Sequence, residues 1–314
     1  MLHSDLMSSF FSKMSKITLI AVYLLIFVGG VVRSTGAGMG CPDWPTCFGR
    51  WVPPISESQL PANYHELYAK KGYATVKFDP VKTWIEYVNR LLGSSIGILI
   101  FLTFIASLAY RKTLKSVMYL SFLAFILVGV EGWLGAKVVA THLSPWVITL
   151  HMGLALAVLA VLHLARHLAM VDKKAPESLA SLEKWIKIAL VLTLLQIFLG
   201  TQVREQIDSI SVLFSGISRD SWIAHLDWTF FIHRSFSWVV LGINLWIGYL
   251  IYTKTSFEKG QTLYKRLLGL IIVEISLGVG MAYCSIPALF QPLHLLVATL
   301  IFGVQFILFL FFAL

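Results

Sequence analysis

The sequence predicts an all-α integral membrane protein, with eight transmembrane helices arranged as two pseudo-symmetric four-helix bundles. Three observations predict it: a composition too apolar for a soluble domain, eight apolar runs of membrane-spanning length, and an internal duplication that divides the runs four and four. The composition is 57% hydrophobic and only 13% charged over 314 residues, with a mean hydropathy of +0.78, the profile of a polytopic membrane protein. The formal charge of +9 falls mainly in short loops between apolar runs. Such placement encodes topology and excludes a nucleic-acid partner.

The eight runs cover about 17–35, 91–110, 116–137, 147–168, 186–203, 229–252, 267–284 and 291–314, close to the ~20 apolar residues that cross a bilayer as a helix. The first is too long, and too poor in a small-residue cleavage site, for a removed signal peptide. Lys and Arg gather before the first span and after the second, fourth and sixth, as at Lys13, Lys16, Arg111, Lys112, Lys254 and Lys259. The positive-inside rule then puts both termini in the cytoplasm, and the expected location is the cell inner (cytoplasmic) membrane. Cys41 and Cys47 lie in the outer-loop segment CPDWPTC, tightened by Pro42 and Pro45. In an oxidising compartment they are expected to form a disulfide. A metal site is the weaker alternative, with five intervening residues and no nearby histidine. Cys284, alone, is expected to be a small buried side chain.

The duplication carries most of the information. IFVGGVVR (26–33) returns as IFLGTQVR (197–204), and VEGWLG (130–135) as VEISLG (273–278). Gly135 precedes His151 by 16 residues and Gly278 precedes His294 by 16. The same register lays EYVNR (86–90) on FFIHR (230–234), so Asn89 matches His233 and Arg90 matches Arg234. The chain divides into an N-terminal half, 1–170, with its repeat unit from about 17, a cytoplasmic linker, 171–185, and a C-terminal half, 186–314. Four spans per half make the halves parallel repeats, the first enlarged by a long outer loop.

By this topology His151, His233 and His294 begin spans at the outer face, as do Glu86 and Asn89. Ionisable residues at membrane depth are costly and mark a functional site by default. Histidines on different helices of one four-helix unit suit a metal between them. Haem is the natural candidate: imidazole binds its iron axially, and Arg33, Arg90, Arg204 and Arg234 are placed to meet its propionates. The bland reading of those arginines is interfacial snorkelling. His163 and His167 could share a face and bind a metal, but a polar inner cap beside Arg166 is the favoured reading. Glu131 and Glu274 are repeat-equivalent; hydrogen-bonded posts between helices and catalytic groups both remain open for them. Glu86, three residues before position 89 on one helical face, is matched by Phe230 in the second half. That contrast makes the first half the site that acts and the second a resident haem site, the bland reading of Glu86 being an ion pair with Arg90.

The arrangement resembles the haem A synthase family, through the segment GGVVRSTGAGMGCPDWPTCFG, the E-x-x-[H]-R turn opening the second span, and histidines starting the fourth, sixth and eighth spans. The resemblance implies an oxidoreductase in which haem O enters the N-terminal half and its ring methyl group is oxidised stepwise, through the alcohol and the hydrated aldehyde, to the formyl group of haem A for terminal oxidase assembly. It implies a resident haem b in the C-terminal half. His233 and His294 would bind haem b, His151 the substrate iron, and Glu86 would be the catalytic carboxylate, with Cys41 and Cys47 the outer-loop disulfide. Haem O synthase, a farnesyltransferase, and an electron-transfer protein are the partners it suggests in the lipid membrane, and it leaves a homo-oligomer open. The departure is Asn89, where the family pattern has a fourth histidine. His151 would then hold the substrate iron alone, or His142 or His65 would supply a sixth ligand; the single ligand is favoured. Two rivals explain the histidines: a diheme membrane cytochrome that passes electrons without modifying haem, which leaves Glu86 and the asymmetry unexplained, and a parallel-repeat transporter using histidines as proton carriers.

Overall fold

The computed structural model describes residues 2–170, 179–213 and 219–314. Among them are eight long helices: α1 (Leu2–Ser34), α2 (Pro80–Ser107), α3 (Lys115–Ala140), α4 (Pro145–Met170), α5 (Ala180–Leu213), α6 (Trp228–Lys254), α7 (Glu258–Tyr283) and α8 (Phe290–Ala313). All eight contain spans long and apolar enough to cross a membrane. The described residues form no strand beyond an isolated bridge between Cys47 and Arg50. The chain is thus an all-α, multi-pass membrane protein. Part of the segment expected to be the linker, 171–178 with Lys173 and Lys174, lies outside the described residues.

The helices outrun their apolar cores. With 33 residues, α1 is about 50 Å long at ~1.5 Å per residue, against a hydrocarbon layer of ~30 Å. At α2 the start moves from the expected 91 back to Pro80. Pro80 fits the first helical position, and the Asp79 side chain accepts hydrogen bonds from the Val81 and Lys82 amides, satisfying donors the helix cannot. Glu86, Asn89 and Arg90 therefore sit inside the helix rather than at its entrance.

Packing follows the apolar faces. α1 lies against α2, α4 and α8; α3 against α2 and α4; α5 against α4, α6 and α8; and α7 against α6 and α8. Half of the α8 span is buried against 11% for α7, which makes α8 the central helix and leaves α7 facing lipid through side chains such as Ile272 and Val273. Leu159, Ile186, Ile247, Leu267 and Leu308 join α4 to α8 in one core. Lipid gives no hydrophobic drive to hold helices together, so close backbone approach and polar ties matter more. A Cβ at Gly30 would come 2.9 Å from the Pro292 Cβ, which is how near α1 and α8 approach. Thr18 and Thr103 pair their hydroxyls at 2.8 Å, and Gln305 Nε2 donates to Asn244 Oδ1 at 3.0 Å.

The outer loop between α1 and α2 is a small folded unit. Cys41 and Cys47 form the expected disulfide. Phe48 packs edge-on against Tyr64, Tyr68, Tyr73 and Phe78. Its backbone has φ +53°, an uncommon conformation for a residue with a side chain. Asp43 holds it there, accepting from the amides of Phe48 at 2.6 Å and Gly49 at 2.8 Å. The Tyr73 hydroxyl donates to the Met39 carbonyl at 2.7 Å; burial, with the charges of Glu86 and Asp79 near, pushes this phenol above its ordinary value, so it stays a donor. Cys284 departs from expectation. It is exposed, because α7 ends at Tyr283 and the thiol sits in the turn beyond the packed face.

Candidate haem-binding cavity

The outer loop docks on α2 through Glu86 and Arg90. A Cβ at Gly40 would meet the Lys82 carbonyl at 2.5 Å, so only glycine lets the loop lie this close. Thr83 Oγ1 donates to the Gly40 carbonyl at 2.8 Å, and the Cys41 amide donates to Glu86 Oε2 at 2.9 Å. Arg90, four residues on, donates to Glu86 Oε1 and to the carbonyls of Asp43 and Thr46. Glu86 is 3% exposed and still borders the cavity described below. The ion pair with Arg90 and a place at the cavity wall are therefore both real features of this carboxylate.

The paired glutamates lie beside the paired histidines. Glu131 on α3 places Oε1 3.1 Å from Nδ1 of His151 on α4. Glu274 on α7 places Oε1 3.1 Å from Nδ1 of His294 on α8. Two repeat-equivalent couples thus have the same geometry, the carboxylate–histidine arrangement that orients metal-binding imidazoles. In each, Nε2 is the ring nitrogen that the carboxylate leaves free. Equivalent glycines lie alongside both rings: a Cβ at Gly135 would be in ordinary contact with His151 Cε1 at 3.5 Å, and one at Gly278 with His294 Cε1 at 3.6 Å.

His233, in the second turn of α6, faces His294 with ring centroids 6.3 Å apart and planes at 78°. The two rings lie close enough for one metal centre to sit between them. The second half therefore fits a haem held by two imidazoles. In the first half His151 fits in the same way, while Asn89 supplies no imidazole.

Three of the four arginines take definite partners instead of reaching into lipid headgroups. Arg33 and Arg204, equivalent in the repeat, both bind Asp208, at 2.8 and 2.7 Å. Arg90 is engaged with Glu86 and the loop. Arg234 stacks over Phe230 and Phe231. Asp208 gave no signal in the sequence, since its register partner is Ala37.

All of these groups, His151, His233, His294, Glu86, Asn89 and the four arginines, line one continuous and mainly apolar cavity of about 2270 Å³. Ordinary ligand sites hold ~300–1,000 Å³, so this half-open space has room for more than one ligand of that size. Trp44, Pro45 and Trp51 of the outer loop contribute to its walls. Among the described residues no group of three or more His, Cys, Asp or Glu could hold a metal ion. Three other histidines, His65, His163 and His167, are engaged elsewhere. His65 Nδ1 is 2.8 Å from the Tyr73 carbonyl and its ring lies on Tyr64. At the inner end, His163 Nε2 pairs with the Tyr23 hydroxyl at 3.0 Å while His167 meets the Phe311 ring, so the two do not converge on a metal. His142 lines the cavity but is exposed in the turn after α3.

Comparison with known proteins agrees with this geometry. A protein named "Heme A synthase" from Shewanella oneidensis is 24% identical, covering 87% of each chain. Another so named, from Nitrosomonas eutropha, is 23% identical over 90% of this chain and 87% of its own. A third, from Mesorhizobium japonicum, is 25% identical over 91% of this chain and 86% of its own. The family model described as "Cytochrome oxidase assembly protein", COX15-CtaA, matches residues 13–306. With nearly the whole membrane region matched, the chain belongs to that cytochrome oxidase assembly protein family.

Proposed function

We propose that the chain is a haem A synthase, which oxidises a ring methyl group of haem O stepwise to the formyl group of haem A. The observation that carries the reading is the repeated histidine–glutamate couple, His151 with Glu131 and His294 with Glu274, on one cavity with room for more than one ligand. The family match supports it. In this reading the half at 1–170 takes haem O as substrate, the half at 186–314 keeps haem b, and 171–185 joins them in the cytoplasm. The protein sits in the inner membrane with both termini cytoplasmic, near a haem O synthase and an electron-transfer partner.

His233 and His294 would hold haem b, which supplies one-electron redox chemistry when bound. His151, oriented by Glu131, binds the substrate iron and so fixes the ring plane in the first half. Arg33 and Arg204 share one carboxylate, Asp208, and the excess positive charge, with Arg234, faces the propionates. Each oxidation passes two electrons to the electron-transfer partner, and Glu86 is the proton acceptor for the water that adds at the oxidised methyl carbon. Arg90 and the Cys41 amide hold its carboxylate at the wall until then. The Trp44–Trp51 side of the loop limits bulk water at that wall. A diheme cytochrome would need neither the carboxylate nor the docked loop.

The test is co-expression with a haem O-producing farnesyltransferase, purification, and identification of the extracted haems by chromatography and mass. Haem A or its alcohol precursor, together with haem b, is the expected result. Haem b alone, with haem O available, would remove the synthase reading.

A further inference from the structure

We propose that the Asn89 side of the N-terminal haem site is an open coordination position that takes a small diatomic ligand, with the Asn89 carboxamide as its hydrogen-bonding neighbour. The inference rests on the haem reading above and goes beyond it by assigning a ligand site to this half alone.

The duplication provides an internal control. His151 and His294 are equivalent and share one geometry, whereas the facing position is His233 in the second half and Asn89 in the first. A carboxamide is a poor iron ligand beside imidazole and its side chain is shorter. The helix opposite records the difference. A Cβ at Gly200 would come 3.2 Å from the His233 ring, while one at the equivalent Gly29 meets nothing within 4 Å. Space filled by a ring in one half is therefore vacant in the other. Asn89 lines the cavity, and of its carboxamide only Nδ2 carries hydrogens that a diatomic ligand can accept. Of the two loop histidines that could substitute, His65 is tied to the Tyr73 carbonyl, and His142 borders the cavity from the turn after α3, outside the repeat-equivalent positions.

The experiment uses the full chain, loaded by co-expression with haem O production, reduced and titrated with carbon monoxide while the Soret band is recorded. Two haems per chain with one responding to carbon monoxide is the expected result. Asn89→His should keep both haems and cut the responding fraction at least tenfold, and His151→Ala should lose the responding haem. Asn89→Leu should keep the response but shift the C–O stretching frequency. Two haems with no response, or an unchanged response in Asn89→His, would overturn the open position; an unshifted frequency in Asn89→Leu would overturn the part given to the carboxamide. A single haem per chain that survives His151→Ala would instead overturn the haem O reading, and the inference with it.

Discussion

A carboxylate 3.1 Å from Nδ1 of His294 fixes the ring's rotation and directs its other nitrogen toward the cavity. Such outer partners contribute about 10–100-fold to metal affinity. Glu274→Ala is therefore expected to weaken haem b retention by about that factor, read as faster loss of haem to an acceptor protein. Unaltered retention would reduce Glu274 to a helix tie. Glu86→Gln keeps the shape of the side chain and removes the proton acceptor. Haem A formation should fall by about 10²–10⁴, with the alcohol accumulating; a normal rate with no alcohol would take Glu86 out of the chemistry. At this scale the histidines were legible because each had a counterpart at equal spacing. Glu131 and Glu274 were visible as a pair, but their role depends on how two helices are rotated, which spacing along one helix does not reveal. Asp208 was invisible, having an alanine as its counterpart.

Helices α1 and α5 carry the equivalent arginines, and Asp208 of α5 binds both, tying the outer ends of the two helices together. Asp208→Asn leaves two neighbouring guanidinium groups without their shared counter-charge. The Asp208 side chain is 41% exposed, so solvent screens the loss, and a destabilisation of only about 1–2 kcal/mol is expected. A lower Tm in detergent would show it; an unchanged Tm would make the clamp incidental. Eight spans were legible from hydropathy alone, since apolar runs of this length have few other uses. Their ends were not. The first turns of α2 carry Lys82, Glu86, Asn89 and Arg90, whose polarity hides the helix although Asp79 and Pro80 begin it. The docked outer loop was legible only as a disulfide, because its aromatic packing around Phe48 joins residues far apart in sequence.

Across the whole molecule, the duplicated chain encloses one cavity that both sets of histidines border, with α8 packed against helices of either repeat. The equivalence of the repeats was readable from shared motifs, and the asymmetry from Glu86 against Phe230 and Asn89 against His233. Continuity of the cavity was not readable, because it arises where α1, α4, α5 and α8 meet. The proposed topology puts the haem sites toward the outer face. A reporter fused after Leu314 should be active only as a cytoplasmic marker, and activity outside would invert the assignment of every loop. The division of labour between the halves is tested most directly by extracting haems from His151→Ala and His294→Ala, each co-expressed with haem O production. His294→Ala should lose haem b, and His151→Ala should keep haem b while losing haem O and its oxidised products. Loss of the same haem from both variants would contradict two distinct sites.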